Sequence, residues 1–512
     1  MRGLVLDGVL VTSWLIVVGL VVLHERGALW GGVGNPAASL RATVDAQEQW
    51  FGFYYQGQKI GYSHTMMMPE EQDGVPGVSV IDKGRLSFNL LGTPQQLEVS
   101  SYAFIDADWR LRTFTAAVRS STSRLQWSGQ RRGDRLLVTV TTPTNALTKQ
   151  IKDPLGSAMV NGLSSWAAFH RLRVGQSGKA WVLNPLALSP EPVYFIVRRS
   201  EVVDGKDALV VETDVSGLTT TSWVTPMGEV LKETSPLGWE LRRESSEQAL
   251  QPVPALSPAL DLLSATAVPV DRPLDNPQAV SRLVLLLEGI EGSELAVRRP
   301  WQTLLPADRL HDYGLSVPEG PWCLVQLDRP TDAPHHEVPL PSALTRYRQP
   351  SLFVQSADPR IMTKAAQIIG ARTDPWDRVT AIHQWVYQTL TKQLTIGLPS
   401  AVDILATPVG DCHEHTILFT ALTRSVNIPT RMVAGLVYQR GRFYYHAWPE
   451  VWLGEWLPTD PTLGQPLADV THLGLVEAED ESLMALAQFV GKLRVHVLAV
   501  EGSPSDGRRP VP

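Results

Sequence analysis

Two periodicities divide the chain. Over residues 45–250 apolar and polar positions alternate in short runs, and residues 50–55, 95–105, 136–142, 194–203, 208–213 and 219–224 are rich in β-branched and aromatic side chains, which reads as strands. The turn signals Gly133-Asp134, Asp204-Gly205 and Met227-Gly228 punctuate them, so hairpins in series are expected to build an antiparallel sheet or open barrel. One interruption, residues 154–172, carries Leu155, Met159, Leu163, Trp166 and Phe169 and predicts a helix crossing that sheet. Beyond residue 350 the period lengthens. Asp358-Pro359 precedes Ile361, Ala365, Ile368 and Ile369, and Asp374-Pro375 precedes Val379, Ile382, Val386 and Leu390. Each spacing predicts a helix with proline at its first position, where the missing N–H costs no hydrogen bond. A third helix is expected after Asp411, with Ile417, Leu418, Ala421 and Leu422 at helical spacing and Pro429 as its stop. Residues 431–438 and 443–453 then read as strands, and Gly454-Glu455 turns into a further one at 456–460.

Helices followed by an antiparallel sheet predict an α+β fold class for the carboxyl-terminal region, behind an antiparallel β-rich domain. The first residues add a location. Residues 8–23 are apolar apart from Thr12 and Ser13, close to the roughly 20 residues a bilayer requires, and the small-residue stretch Ala37-Ala38-Ser39 lies well beyond them. A membrane-anchor helix or uncleaved signal is therefore expected at 1–28. The remaining divisions are a β-rich domain at 45–250, a linker with a small β-containing segment at 251–350, a catalytic domain at 351–500 and a disordered tail at 501–512. The net charge of −7 supplies no basic excess for nucleic acid. With only two cysteines there is no disulfide framework, and Cys323, between Trp322 and Leu324 in an apparent strand, reads as buried packing. Arg110, Arg112, Arg119, Arg124, Arg131, Arg132 and Arg135 read as the solvated outer face of the β-rich domain. The alternative is a basic face for a partner such as an acidic polymer or lipid head groups.

The chemistry concentrates in Gly410-Asp411-Cys412-His413-Glu414, followed by His446 and Asp460. Acyl transfer by a thiol needs a thiolate nucleophile, an imidazole to accept and return a proton, and a carboxylate to hold the ring in one tautomer. With Asp411 as N-cap, Cys412 falls at N1 and Glu414 at N3, an approximate capping box. There the helix end favours a thiolate over its free value of about 8.5, and its N–H groups can receive an oxyanion. Strand alternation puts His446 on one face with Tyr444, Trp448, Glu450 and Trp452. A strict two-residue hairpin at Gly454-Glu455 would oppose Asp460 to Pro449, about 10 Å along the strand from His446. A bulge or longer loop, invited by Pro449 and Pro458, is needed to close that gap. The competing reading uses Cys412, His413, His415 and His446 as zinc ligands of a metal-dependent hydrolase. Two histidines two apart on a helix point in different directions, which argues against it.

Gly410-Asp411-Cys412-His413-Glu414, then Ile428-Pro429-Thr430-Arg431, His446-Ala447-Trp448 and Asp460-Pro461-Thr462 resemble, in order, the core of bacterial transglutaminase-like proteins in the papain-like cysteine acyl-transfer superfamily. The resemblance spans about residues 358–475, and residues 50–62 and 221–249 resemble amino-terminal regions of membrane-anchored members. It implies a papain-like transglutaminase core with Cys412 as nucleophile, His446 as general base and acid, and Asp460 as the orienting residue. It also implies a peptide or protein substrate, no cofactor, and a catalytic domain outside the cytoplasm. No calcium-loop ligand run is present. Gln384 or Trp385 is invited as a second oxyanion donor, a core or surface role being the plainer reading. A catalytically idle peptide-binding module on the same fold is the alternative function.

Overall fold

The computed structural model describes residues 46–502 except 91–92, 108–109, 121–123, 144–145, 154–171, 185–188, 216–217, 227–228, 236–237, 254–265, 296–298, 331–338, 394–398, 479–485 and 487–488. The expected anchor at 1–28, nearly all of the expected crossing helix at 154–172, and the tail from 503 lie outside the described residues. The chain divides between Leu262 and Leu263 into two compact units.

Among the described residues, the amino-terminal unit is built on an antiparallel sheet of fourteen strands. Its first half is a meander of β1 (Gln47–Tyr55), β2 (Gln58–Gln72), β3 (Val75–Leu90), β4 (Thr93–Asp106), β5 (Leu111–Arg119), β6 (Arg124–Arg132), β7 (Arg135–Thr141) and β8 (Ala146–Lys152). The second half is β9 (Ser177–Asn184), β10 (Ser189–Val203), β11 (Lys206–Val215), β12 (Leu218–Val224), β13 (Val230–Thr234) and β14 (Trp239–Glu244), and the halves join where β1 pairs with β14. Alternation decides which face is buried: Phe51, Phe53 and Tyr55 on β1, and Leu136, Val138 and Val140 on β7, are all within the core. Two-residue turns at Gln56-Gly57, Asp73-Gly74 and Asp204-Gly205 have positive φ at both positions, the twist that suits tight hairpins. Arg131 does not join a basic face; its side chain is buried against Asp153 and bonds the Leu111 carbonyl.

In the carboxyl-terminal unit, β15 (Val268–Pro269), β16 (Val280–Glu288), β17 (Gln302–Leu305) and β18 (Trp322–Asp328) precede the helices α1 (Pro359–Ile369) and α2 (Pro375–Thr389). Then come β19 (Thr391–Lys392), α3 (Ala401–Ala406), β20 (Val409–Gly410), α4 (Cys412–Ser425), β21 (Thr430–Gln439), β22 (Arg442–Trp452), β23 (Trp456–Pro458), β24 (Leu473–Glu477) and β25 (Arg494–Gly502). Asp358 and Asp374 cap α1 and α2 with proline in the first turn. One sheet runs β15-β22-β21-β24, with β23 on β22; a second runs β17-β18-β16-β25; β19 and β20 pair in parallel. Helix α4 is buried on every side from Cys412 to Arg424, so its polar residues need internal partners. Thr423 bonds Thr430, and Arg424 bonds the carbonyls of Thr430 and Gln349. Cys323, on β18, and Cys412 are both free thiols, and burial pushes the Cys323 thiol up to about 12.

A buried charge cluster ties the segment before β17 to the sheet that follows α4. Glu450 accepts two hydrogen bonds from Arg431, at 2.9 and 2.7 Å, and its other oxygen lies 2.8 Å from Nε of the fully buried Arg299. Arg431 also reaches Glu477, and the Arg299 guanidinium lies over the Trp301 ring. Gln302 brackets Gly474, donating to its carbonyl at 2.8 Å and accepting from its N–H at 2.9 Å. A side chain at Gly474 would strike Arg299.

The α+β expectation is corrected by this architecture, while the expected membrane-anchor helix lies outside the described residues. Among the described residues strands make up 52% and helices 20%, so what is described is mostly antiparallel sheet. Among the described residues the longer helices fall between α1 and α4, whereas β-alternation dominates the first unit, with only the short helix Ser246–Ala249 beside it, and recurs in β16–β18 and β25. No described helix is long and apolar enough to cross a membrane. Removing one partner from a buried ion cluster leaves the others uncompensated. Glu450→Ala is therefore expected to destabilise the carboxyl-terminal unit by about 3–5 kcal/mol, measured by denaturant unfolding of the full chain.

Candidate active site

Gly410-Asp411-Cys412-His413-Glu414 has a local explanation for each residue. Asp411 caps α4, its side chain accepting from the His413 N–H at 2.9 Å, and Glu414 reaches back to the Asp411 N–H at 2.8 Å, closing the capping box. Glu414 folds over Gly410 so closely that a Cβ there would sit 2.3 Å from the glutamate's own Cβ. Cys412 is thereby held at N1, fully buried. The capping box uses the N–H groups of His413 and Glu414, so most of the first-turn donors expected to serve an oxyanion are already engaged by Asp411. One turn along the same helix face, Thr416 donates to the Ala447 carbonyl at 3.2 Å, which seats the Cys412 side of α4 against β22 next to His446.

The hairpin between β22 and β23 explains how Asp460 arrives. Trp452 opposes Trp456, so the loop is the three residues Leu453, Gly454 and Glu455 rather than two, with Gly454 at φ 101°. That register continues through the Thr459 N–H to the Pro449 carbonyl at 3.0 Å. Extended by one residue, it sets Asp460 opposite Trp448, on the face that also carries His446. The carboxylate Oδ2 lies 2.7 Å from His446 Nε2. The gap expected from a strict two-residue hairpin is closed by one extra loop residue.

Asp460 is fully buried and held by four donors. Oδ1 accepts the N–H groups of Thr462 at 2.8 Å and Leu463 at 2.9 Å, while Oδ2 accepts from His446 and from His472 Nε2 at 3.1 Å. Burial alone would raise this carboxyl, but the charge and hydrogen bond of His446, with those of His472, hold it well below the usual carboxylate range. With Nε2–H directed at Asp460, His446 keeps Nδ1 as its basic nitrogen.

His472 and Asp469 escape sequence reasoning. Their signal, Asp469-Val470-Thr471-His472 before an apolar strand, is an ordinary Asx turn: Asp469 accepts from the Thr471 N–H at 2.9 Å and its hydroxyl at 2.6 Å. Burial would pull the His472 imidazole down, yet hydrogen bonds to Asp460 and Asp469 lift it to about 9. His383, on α2, donates to the Asp460 carbonyl at 3.0 Å, and burial lowers its pKa. His415 turns Nδ1 to the Asp411 carbonyl at 2.6 Å, and burial pushes it down to about 4. Gln384 is exposed, and Trp385 sits under the Lys364 ammonium, so neither is presented by its neighbours as an oxyanion donor.

Among the described residues, the set with metal-ligand reach is His446, Asp460 and His472, not Cys412, His413, His415 and His446. The His446 and His472 Nε2 atoms are already joined to Asp460 by hydrogen bonds, and His472, whose two ring nitrogens both face acceptors, keeps no lone pair to give a metal when both are protonated. The arrangement suits proton transfer: a buried, fixed carboxylate behind an imidazole, on a strand that accepts a hydrogen bond from the helix beginning at Cys412.

Comparison with known proteins adds the following. No curated protein matches the chain. A Cytophaga hutchinsonii structure described as a "putative cysteine protease" is 19% identical, with a TM-score of 0.31, over 43% of this chain and 81% of that one. A "putative protease" from Parabacteroides distasonis is 10% identical, with a TM-score of 0.19, over 74% of this chain and 68% of the other. Residues 363–461 match the family model of the transglutaminase-like superfamily, a span that holds Cys412, His446 and Asp460 and stops short of His472. The chain thus carries a transglutaminase-like domain at residues 363–461, and with it the general character of a thiol-dependent enzyme.

Proposed function

We propose that the carboxyl-terminal unit is an acyl-transfer enzyme acting on amide bonds of a peptide or protein, with Cys412 as nucleophile, His446 as general base and acid, and Asp460 as the orienting carboxylate. The observation that carries this reading is the 2.7 Å contact of His446 Nε2 with the buried Asp460 carboxylate, made on the strand that receives the Cys412 face of α4. A carboxylate so placed fixes the ring tautomer and stabilises the imidazolium formed when the thiol gives up its proton.

The sequence of bonds follows. His446 Nδ1 takes the Cys412 proton, and the sulfur attacks the amide carbonyl carbon to give a tetrahedral oxyanion. The C–N bond breaks as His446 returns the proton to the departing amine, leaving a thioester on Cys412. Water, or a second amine, then loses a proton to His446 and attacks the thioester. The C–S bond breaks, and the proton returns to the cysteine sulfur. Water yields a carboxylic acid; an amine yields a new amide. The helix N-terminus favours the thiolate, while the Asp411 and Glu414 carboxylates oppose it electrostatically, so His446 carries the larger share of activation. The resemblance of residues 358–475 to bacterial transglutaminase-like proteins favours an extracytoplasmic location for this chemistry.

Cys412→Ala should abolish cleavage or crosslinking of a protein substrate such as casein while leaving the unfolding midpoint nearly unchanged, and Asp460→Asn should lower kcat by about a hundredfold or more. Retained turnover in Cys412→Ala would reject the enzyme reading in favour of an idle binding module. Iodoacetamide at neutral to mildly acidic pH is expected to modify Cys412 ahead of Cys323, and His446→Ala should remove that selectivity. Peptide mass mapping reads both outcomes.

A further inference from the structure

The Asp460 carboxylate serves two imidazoles at once. Oδ2 lies 2.7 Å from His446 Nε2 and 3.1 Å from His472 Nε2, and the two rings stand 6.1 Å apart, centroid to centroid, at 62°. His472 is fully buried and is gripped at its other end, where Nδ1 lies 3.0 Å from the Asp469 carbonyl and 3.3 Å from its carboxylate. Its ring meets Trp448 edge-on at 5.1 Å, and Trp448 in turn stacks near the His446 ring. We propose, building on the reading above, that His472 is a positioning residue of the reaction, holding the shared oxygen of Asp460 in line with His446 and placing a compensating positive charge behind it.

Geometry supplies the argument. Thr462 and Leu463 anchor Oδ1, and a second donor on Oδ2 narrows the range over which the shared oxygen can tilt away from His446. Burial of an uncompensated anion is costly, and His472 meets that cost without touching the reacting atoms. Asp469 then prevents the second imidazole from losing its proton at neutral pH, consistent with its position near 9. The charged and titratable groups around this centre are Asp460 and Asp469, His446 on β22, His383 on α2 through the Asp460 carbonyl, and Arg299 with its partner Glu450 across the Trp448 ring. Lys392 and Glu414 act on the neighbouring His415.

A consequence separates positioning from mere packing. With a positive charge removed about 6 Å from His446, the His446 imidazolium becomes easier to keep, so its titration midpoint should rise by about two units at an effective dielectric of about 20. Scaffold damage alone would lower activity without moving that midpoint. Histidine-selective isotope labelling of the full chain, read by NMR between pH 5 and 10, measures it in wild type, His472→Gln and Asp469→Asn. His472→Gln keeps a donor and loses the charge. Asp469→Asn leaves His472 in place but weakens its hold on the proton, and is expected to move the midpoint the same way by a smaller amount.

A linked stability change provides a second reading. Because the folded His472 pKa is raised, the stability it contributes is complete below about 6.5, the unfolded value, and is lost as pH rises through about 9. Wild type should therefore lose more stability than His472→Gln between pH 7 and 9. Cys412→Ser serves as the reference for the underlying pair: a His446 midpoint indifferent to that change rejects the nucleophile–base reading itself. A midpoint that responds to Cys412→Ser but not to His472→Gln or Asp469→Asn rejects the role assigned to His472 alone.

Discussion

Everything at the proposed centre rests on a carboxylate kept ionised without water. Asp460 lies fully buried, where an isolated anion would be expelled or neutralised, and four directed donors make it tolerable. Two are backbone N–H groups of the turn that follows Asp460, so the chain's own path supplies half of the coordination. The other half comes from two imidazoles, one on β22 and one just ahead of β24. Those strands flank β21 on opposite sides, and Gly435 on β21 permits the close approach, since a Cβ there would meet the Leu473 carbonyl at 2.0 Å. A missing side chain in the middle strand is thus what lets two neighbours share one anion.

Support for this centre extends outward in layers of the same logic. Glu450, four residues past His446 on β22, neutralises Arg431 from the paired strand and Arg299 from the segment before β17. The segment leading into the second sheet is therefore attached by charge to the sheet that carries His446. Trp448 sits between these layers, with Arg299 over one side and His472 against its edge. Buried ion clusters add little net stability over apolar packing, but they specify position sharply, because any displacement uncovers a charge.

Local chemistry made much of the site legible in the sequence. Asp358, Asp374 and Asp411 each announce a helix start through a short side chain that satisfies orphan N–H groups, and all three caps are present. His446 could be placed on its strand face by alternation alone. What sequence could not give was set by longer-range geometry. The register of the β22–β23 hairpin depended on a three-residue loop, and His472 looked like the end of a turn because its partner, Asp460, is brought to it only by folding. In the first unit, β2 and β3 are long strands that carry poor strand formers, Pro69, Glu70 and Glu71 on β2 and Pro76, Gly77, Asp82 and Lys83 on β3, whose place in the sheet is decided by their neighbours. Fold class went astray for a related reason: helical motifs are compact and conspicuous, while about half of the described residues are committed to pleated ribbons.

The loop Leu453-Gly454-Glu455 carries a constraint that side-chain identity does not reveal. Opposed residues in an antiparallel ladder share a face, so loop length sets the parity with which everything after it is dealt to the two sides. Losing or gaining a single residue there would send the carboxylate to the far side of the sheet with every amino acid of the site unaltered. In this protein, then, a count of residues in a solvent-side bend is as much a part of the enzyme's specification as the acid it delivers, and insertions there would be screened for oddness or evenness before anything else.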